Sequence, residues 1–166
     1  GLIRNQSIKE VCSSMDIALQ SGDSTWSRVA PSVLTDCRRR LGEAPMSYLF
    51  KSTISAWLEQ ALGDKNTLGL TTLAVDGTVF RCQDSEENAN EFGFISKTHK
   101  PYPQLRLVSL ISTETRMVLG AAFDGCHVGE ITIAQRLVQD TPDNSLTLFD
   151  RCYFSADLLV NWQSSG

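Results

Sequence analysis

Two aspartates, Asp76 and Asp150, each follow a short run of apolar and β-branched residues. The runs, 70–75 and 146–149, have the composition of β-strands. Carboxylate oxygens are hard ligands that suit Mg²⁺ or Mn²⁺. Two carboxylates at the ends of neighbouring strands could therefore hold divalent metal for phosphoryl transfer. The alternative is that both acids are ordinary solvated residues beside strands.

The rest of the second half predicts elements that would bring these two acids together. Two more strands and two helices are predicted: a hairpin of 105–111 and 117–123, a helix over 129–138, and a helix starting near Ser155. Three antiparallel strands and a crossover to a parallel fourth strand begin a ribonuclease H-like sheet. The crossover would set the fourth strand beside the first. We therefore expect the carboxylates of Asp76 and Asp150 to lie roughly 4–7 Å apart, close enough to share a metal ion.

The first 63 residues have helical patterns only. Three helices are predicted, over 7–19, 31–41 and 45–62. An S-x-x-E capping box begins at Ser7, and Pro31 suits a first helical turn. Gly42 and Gly63 follow the second and third patterns and would end those helices.

The change of pattern predicts two domains and an α+β chain overall. A helical region over 1–66 would precede an α/β region over 67–166 that holds an incomplete mixed sheet. Trp26, Trp57 and Trp162 each lie near an apolar helical stripe, so we expect all three in the core.

Composition is that of a soluble globular protein, with 42% hydrophobic and 20% charged residues. No apolar stretch is long enough to span a membrane. The five cysteines form no C-x-x-C pair, which indicates reduced thiols in a cytoplasmic protein rather than a zinc site. The net charge of −4 disfavours a general nucleic-acid binder. Bound divalent metal would neutralise part of that charge.

Three basic residues are candidate DNA contacts. Lys97 and Lys100 lie in a polar segment, 83–103, that we expect to be a loop. Arg151 follows Asp150 and could contact a phosphate, or it could pair with Asp150 or Asp157. Plain flexibility of the loop is the alternative for both lysines.

The sequence around the two aspartates resembles that of one family, the DDE transposases of the insertion-sequence-4 family. Six segments carry the resemblance in order: DCRRRLG at 36–42, VDGT at 75–78, EFG at 91–93, PQLRLV at 103–108, VGE at 128–130 and FDRCYF at 149–154. Together they extend over most of the chain.

The resemblance implies a ribonuclease H-like core that binds Mg²⁺ or Mn²⁺ through two aspartates and a glutamate. Asp76 and Asp150 match the two aspartates. Such enzymes nick transposon ends with water and join the freed 3′-hydroxyl to target DNA, so double-stranded DNA is the implied partner. A bacterial cytoplasmic protein associated with the nucleoid, with no membrane partner, is implied too.

The family's third acid has no counterpart in these residues, and Glu130 looks like an acid that suits a helix start. We therefore expect these 166 residues to be inactive alone. We also expect the strand 146–149 to be an unprotected edge. That edge, and apolar surface at Leu158, Leu159 and Trp162, would favour self-association.

The sequence also bears on two other functions. A haloacid-dehalogenase phosphatase shares the Asp76-Gly77-Thr78 motif but needs an aspartyl nucleophile at position 74, where Ala74 stands. That class is excluded. The remaining alternative is a non-catalytic DNA-binding or assembly module from a truncated transposase.

Overall fold

A computed structural model describes residues 10, 18–20, 26–28, 31–62, 68–95 and 102–164. The chain divides between Ser52 and Thr53 into two compact units. Each unit is described by itself.

The first unit contains a small antiparallel sheet, so the expectation of helices alone is wrong. Strand β1, Ala18–Gln20, pairs with strand β2, Trp26–Arg28. Of the helix expected over 7–19, Glu10 is helical, the end at Ala18 and Leu19 is strand, and the remainder lies outside the described residues. The sequence Ser21-Gly22-Asp23, expected to end that helix, has a composition equally typical of a hairpin loop.

The second predicted helix is confirmed. Helix α1 extends over Pro31–Leu41. Gly42 follows with φ 65°, a left-handed conformation that glycine adopts without strain, and its N–H donates to Arg38 O at 3.2 Å. The sequence pattern therefore located both ends of this helix.

The third predicted helix is interrupted. Helix α2, Ala44–Ala56, and helix α3, Leu58–Leu62, meet at Trp57. The N–H of Trp57 donates to both Thr53 O and Ile54 O, which tightens the turn and breaks the regular ladder. Trp57 is 57% exposed, so its expected core position is wrong, while Leu62 beyond the break packs against the core.

The second unit is built on a four-stranded mixed sheet with the expected topology. Its strands are β3, Thr71–Arg81; β4, Gln104–Ser112; β5, Val118–Gly125; and β6, Ser145–Phe149. They lie in the order β5-β4-β3-β6. The first three pair antiparallel, and β6 pairs parallel to β3. The incomplete ribonuclease H-like sheet predicted from the sequence is confirmed.

Strand β3 continues past the aspartate at which it was expected to end. It pairs with β4 from Leu73 to Arg81, which places Asp76 inside the strand. Residues Thr78, Val79 and Phe80 are β-branched or aromatic and favour this extension. At Gly77, cross-strand pairing prevails over the low β-propensity of glycine.

The expected loop 83–103 contains helix α4, Glu86–Phe92. Ser85 caps the helix by accepting a hydrogen bond from the N–H of Asn88. Glu86 and Glu87 in the first turn suit the positive end of the helix dipole. Part of the polar segment that we expected to be a loop is therefore a helix.

Helices cover one face of the sheet. Helix α5, Glu130–Ala134, continues as a 3₁₀ segment, Gln135–Asp140, and helix α6 extends over Ala156–Gln163 with Ser155 as its cap. The core between helices and sheet includes Leu73, Val108, Leu110, Ile133, Leu137, Tyr153, Leu158 and Trp162. Of the apolar surface expected at α6, Leu158 and Trp162 are buried, and only Leu159 is partly exposed, at 38%.

The opposite face of the sheet carries exposed apolar side chains. By strand alternation and register, four of them share this face: Phe80, Phe123, Leu146 and Leu148. Among the residues that the structure describes, no helix is long and apolar enough to cross a membrane.

Candidate active site

The parallel pairing of β3 and β6 brings Asp76 and Asp150 to the same end of the paired strands. The last register pair is Val75 with Phe149, and each aspartate is the next residue in its chain. Asp150 keeps an extended backbone, with φ −67° and ψ 155°. Because paired residues of parallel strands point the same way, the two side chains leave the sheet on one side. The expected 4–7 Å separation of the carboxylates stays a prediction.

Both aspartate side chains are exposed. The N–H of Gly77 donates to Asp76 Oδ1 at 2.8 Å, which orients that carboxylate. A carboxylate has about four lone-pair sites, so this bond leaves Asp76 able to accept a cation. The first aspartate is thus fixed by its own strand and open to solvent.

A third carboxylate, that of Glu130, lies next to Gly77 on the face of the sheet that the helices cover. Glu130 is in the first turn of α5, and its Oε1 lies 3.7 Å from Arg106 Nε. Arg106 also donates from Nη1 to Val128 O at 2.8 Å. A Cβ added at Gly77 would meet Glu130 Oε2 and Tyr153 Oη, each at 2.9 Å. The carboxylate and the hydroxyl therefore converge on the bare backbone next to Asp76.

Two groups after Asp150 have altered proton affinity. Burial, and then the Glu130 carboxylate, raise the pKa of Tyr153 well above its ordinary value. Loss of solvent contact, and then the nearby Asp150 carboxylate, raise the pKa of the Cys152 thiol. The tyrosine therefore keeps its proton at neutral pH and is available as a hydrogen-bond donor.

The chemistry of Asp76 and Asp150 fits a hard divalent cation, since both offer exposed carboxylate oxygens. Two carboxylates are fewer protein ligands than a complete metal site needs in the family that the sequence resembles. In the described part of the chain, no group of three or more His, Cys, Asp or Glu is arranged to hold a metal ion. The residues therefore fit two ligands of such an ion.

The basic candidates have different outcomes. Lys97 and Lys100 lie outside the described residues. Arg151 is exposed at the start of the 3₁₀ turn Arg151–Tyr153. Within the described ranges, no ion pair joins it to Asp150 or Asp157. Its role at a phosphate stays a prediction.

Sequence reasoning missed two residues of this region, Arg106 and Tyr153. Arg106 shares a strand face with Val108, Leu110 and Ser112, all of which are buried. A cation on the core face of an apolar strand needs a buried partner, and that signal was present in the sequence. Tyr153 gave no comparable signal, because its burial depends on the turn that follows Asp150.

Comparison with known proteins gives matches over both halves. Residues 1–51 match the family described as Insertion element 4 transposase N-terminal, and residues 67–166 match the family described as Transposase DDE domain. No solved structure matches.

Two curated relatives come from Escherichia coli (strain K12). "Transposase InsG for insertion sequence element IS4" is 32% identical over 167 residues, covering 99% of this chain and 37% of the relative. "Putative transposase InsZ" is 31% identical over 169 residues, covering 99% of this chain and 56% of the relative. The chain thus spans between about a third and a little over half of their lengths. With the DDE domain match over 67–166 and the N-terminal match over 1–51, the chain belongs to the DDE transposases of the insertion element 4 family.

Proposed function

We propose that this chain supplies Asp76 and Asp150 as two metal-binding carboxylates of a transposase that cleaves and joins DNA. The register between β3 and β6 carries the proposal, because it makes these two acids neighbours across the sheet. The exposure of both side chains leaves them accessible to metal and to DNA. The family membership supplies the reaction class.

Mg²⁺ or Mn²⁺ held by Asp76 and Asp150 would stabilise charge on the attacking and leaving oxygens of a phosphodiester. The chain's own contribution is placement. The Gly77 N–H orients the Asp76 carboxylate, and the 3₁₀ turn after Asp150 fixes the second acid. Preorganised ligands of this kind avoid the reorganisation that a flexible site would need.

Double-stranded DNA, as transposon end and target, is the proposed substrate. Residues 67–166 carry seven Lys or Arg against twelve Asp or Glu, so attraction of phosphate depends on local features. Arg151 is exposed beside Asp150 and would contact a phosphate near the reacting one. Lys97 and Lys100 would add further contacts to phosphate.

We also propose that residues 1–66 and 67–166 have separate functions, although Leu62 packs against the core of the second unit. The first contains eight Lys or Arg against seven Asp or Glu, so it lacks the acidic excess of the second. That difference suits a division between DNA contact in the first domain and metal chemistry in the second.

A second candidate is a DNA-binding or assembly module without catalysis of its own. The observation in its favour is that no three-ligand group occurs in the described part of the chain. Two carboxylates bind Mg²⁺ weakly, whereas phosphoryl transfer needs a firmly held ion. This candidate predicts DNA binding that is unchanged by Asp76→Asn.

Calorimetry with Mn²⁺ tests the metal site. We expect weak binding to the wild-type chain that is lost in Asp76→Asn and in Asp150→Asn, because each change removes a charged ligand. Asp143→Asn is the matched control, since Asp143 is exposed just before β6, at the end away from Asp150. Equal affinity in all four proteins would mean that the ion binds elsewhere, and the catalytic proposal would fail.

A further inference from the structure

Two buried donors near the site face the same carboxylate, that of Glu130. Among the described residues, the buried side-chain nitrogen and oxygen atoms without a hydrogen-bond partner are Arg106 Nε and Tyr153 Oη. Both lie at Glu130. Nε is 3.7 Å from Glu130 Oε1, and Oη and Glu130 Oε2 each lie 2.9 Å from the position that a Cβ on Gly77 would occupy. A buried donor without an acceptor is costly, so the arrangement calls for one shared acceptor.

We propose that Glu130 is a positioning residue whose carboxylate accepts hydrogen bonds from Arg106 and Tyr153 and thereby fixes the Asp150 turn beside Asp76. The proposal rests on the proposed role of Asp76 and Asp150. A carboxylate has two oxygens and can serve both donors at once. We call the three side chains, Arg106, Glu130 and Tyr153, the clasp.

The clasp connects segments that are far apart in sequence. Arg106 belongs to β4, Glu130 begins α5, and Tyr153 ends the turn that starts from Asp150. The Tyr153 N–H donates to Asp150 O at 3.0 Å. Holding the Tyr153 hydroxyl therefore limits how far the Asp150 backbone can move.

Gly77 is the contact point on the other aspartate. It follows Asp76 directly, and both Glu130 and Tyr153 pack where its side chain would be. Through its contacts at Gly77 and Tyr153, the Glu130 carboxylate on the helix-covered face fixes the spacing of Asp76 and Asp150, whose side chains leave the other face. Groups that orient metal ligands without touching the ion are common and strongly affect affinity.

A metal-ligand role for Glu130 suits the contacts less well. Its carboxylate faces the positively charged guanidinium of Arg106. A divalent cation at the same oxygens would meet that charge. Glutamine at this position would still accept a hydrogen bond, whereas it would be a poor metal ligand, and this difference separates the two roles.

Hydrogen exchange tests the clasp without metal. In the wild-type chain the amides of residues 153 and 154 are bonded to Asp150 O and Arg151 O. We expect Glu130→Ala and Tyr153→Phe to speed their exchange about tenfold, and Glu130→Gln to stay within about threefold of wild type. Asp124→Ala, which breaks the ion pair with Arg136 elsewhere, should leave both amides unchanged. Unchanged exchange in Glu130→Ala and Tyr153→Phe would overturn the proposal.

Mn²⁺ affinity separates positioning from ligation. We expect about tenfold weaker binding in Glu130→Ala and a value near wild type in Glu130→Gln. If Glu130→Gln abolishes binding as Asp76→Asn does, Glu130 is a ligand and the positioning role is wrong. If the wild-type chain binds no Mn²⁺, the proposed metal site fails, while the exchange result still decides whether the clasp exists.

Discussion

At the scale of single residues, the packing of the candidate active site depends on Gly77, which has no side chain. Gly77 has an ordinary strand conformation within β3, so its backbone does not require glycine. Glycine is required because there is no space for a side chain: a Cβ would lie 2.8 Å from Glu130 Cδ and 2.9 Å from Tyr153 Oη. Glycine here lets a helix start and a turn approach the strand that bears Asp76.

Gly77→Ala should destabilise the fold. The added methyl group would push the Glu130 and Tyr153 side chains away, and overpacking of this kind costs about 1–3 kcal/mol. Urea unfolding of the two proteins measures the change. Gly129→Ala is the control, because nothing lies within 4 Å of a Cβ there. Its loss should be about 0.5 kcal/mol, reflecting a poorer N-cap. Equal stability of Gly77→Ala and wild type would show that this space is not tightly filled.

The sequence predicted that Asp76 and Asp150 are neighbours, and the register of β3 and β6 agrees, but it did not predict the clasp. The aspartates were visible because each follows a run with strand composition, and strand order then made them neighbours. Arg106, Glu130 and Tyr153 meet only through tertiary packing between three elements, which no local pattern reports. The charge of Glu130 was correctly assigned to a helix start, yet its partner Arg106 on β4 was not foreseeable.

At the scale of elements, α6 is attached to β6 by polar and aromatic contacts. Trp162 Nε1 donates to Thr147 Oγ1 at 3.0 Å. The Trp162 ring also meets the Phe149 ring edge-on, with centroids 4.8 Å apart. These contacts hold the strand that leads to Asp150 against the helix that follows it.

Thr147→Val should loosen this attachment. Valine has nearly the same shape as threonine but cannot accept the indole hydrogen bond, so about 1 kcal/mol of stability should be lost. Chemical denaturation provides the measurement. Thr78→Val, on the exposed part of β3, makes the same substitution without a buried partner and should change little. A loss as large in Thr78→Val as in Thr147→Val would contradict this explanation.

The ion pair between Asp124 on β5 and Arg136 on the 3₁₀ segment should give a pH-dependent contribution. The hydrogen bond from Arg136, then that from the Gly125 N–H, lower the pKa of Asp124 below its ordinary 3.8. Because the folded-state pKa is lowered, the charged carboxylate stabilises the fold above pH 3.8. This stabilisation is lost as the pH falls through the folded-state pKa. The pair is largely exposed, so the contribution should be below about 1 kcal/mol.

Comparison of wild type with Asp124→Asn tests this pair. The stability difference should be present at pH 7 and should shrink as the pH falls below 3.8, where the carboxyl group of the wild-type protein becomes protonated. A difference that stays constant from pH 7 to acid would assign the effect of the substitution to something other than charge.

The misassigned elements share one cause. β1, the far end of β3 and α4 lie in segments where local composition supports two structures. For β3, pairing with β4 over nine positions decided the outcome. For α4, the Ser85 cap and two acids in the first turn outweighed a composition rich in loop formers. Elements with long, single-period patterns, such as α1 and β4, were predicted correctly.

At the scale of the whole molecule, helices cover only one face of the described sheet. Leu146 and Leu148 on β6 are 40% and 51% exposed on the other face. Within the described residues β6 pairs with β3 alone, so its outer edge offers unpaired backbone groups. An apolar face next to an open edge favours association between chains.

The 166-residue chain should therefore self-associate. Sedimentation at several concentrations should show a rising average mass, and Leu148→Lys should reduce it, because a charge on an edge strand opposes pairing. Val160→Lys is the control, because this side chain is also exposed but belongs to α6 rather than to the edge strand. A strictly monomeric wild-type chain would show that this face and edge are compatible with solvent.

The central claim is that Asp76 and Asp150 together bind a divalent cation, and anomalous diffraction from Mn²⁺-soaked crystals tests it most directly. We predict a Mn²⁺ peak within coordination distance, roughly 2–2.5 Å, of a carboxylate oxygen from each aspartate. Glu130 should contact Arg106 and Tyr153 rather than the ion. A peak bound to other residues, or carboxylates more than about 12 Å apart, far beyond the reach of one ion, would contradict the account.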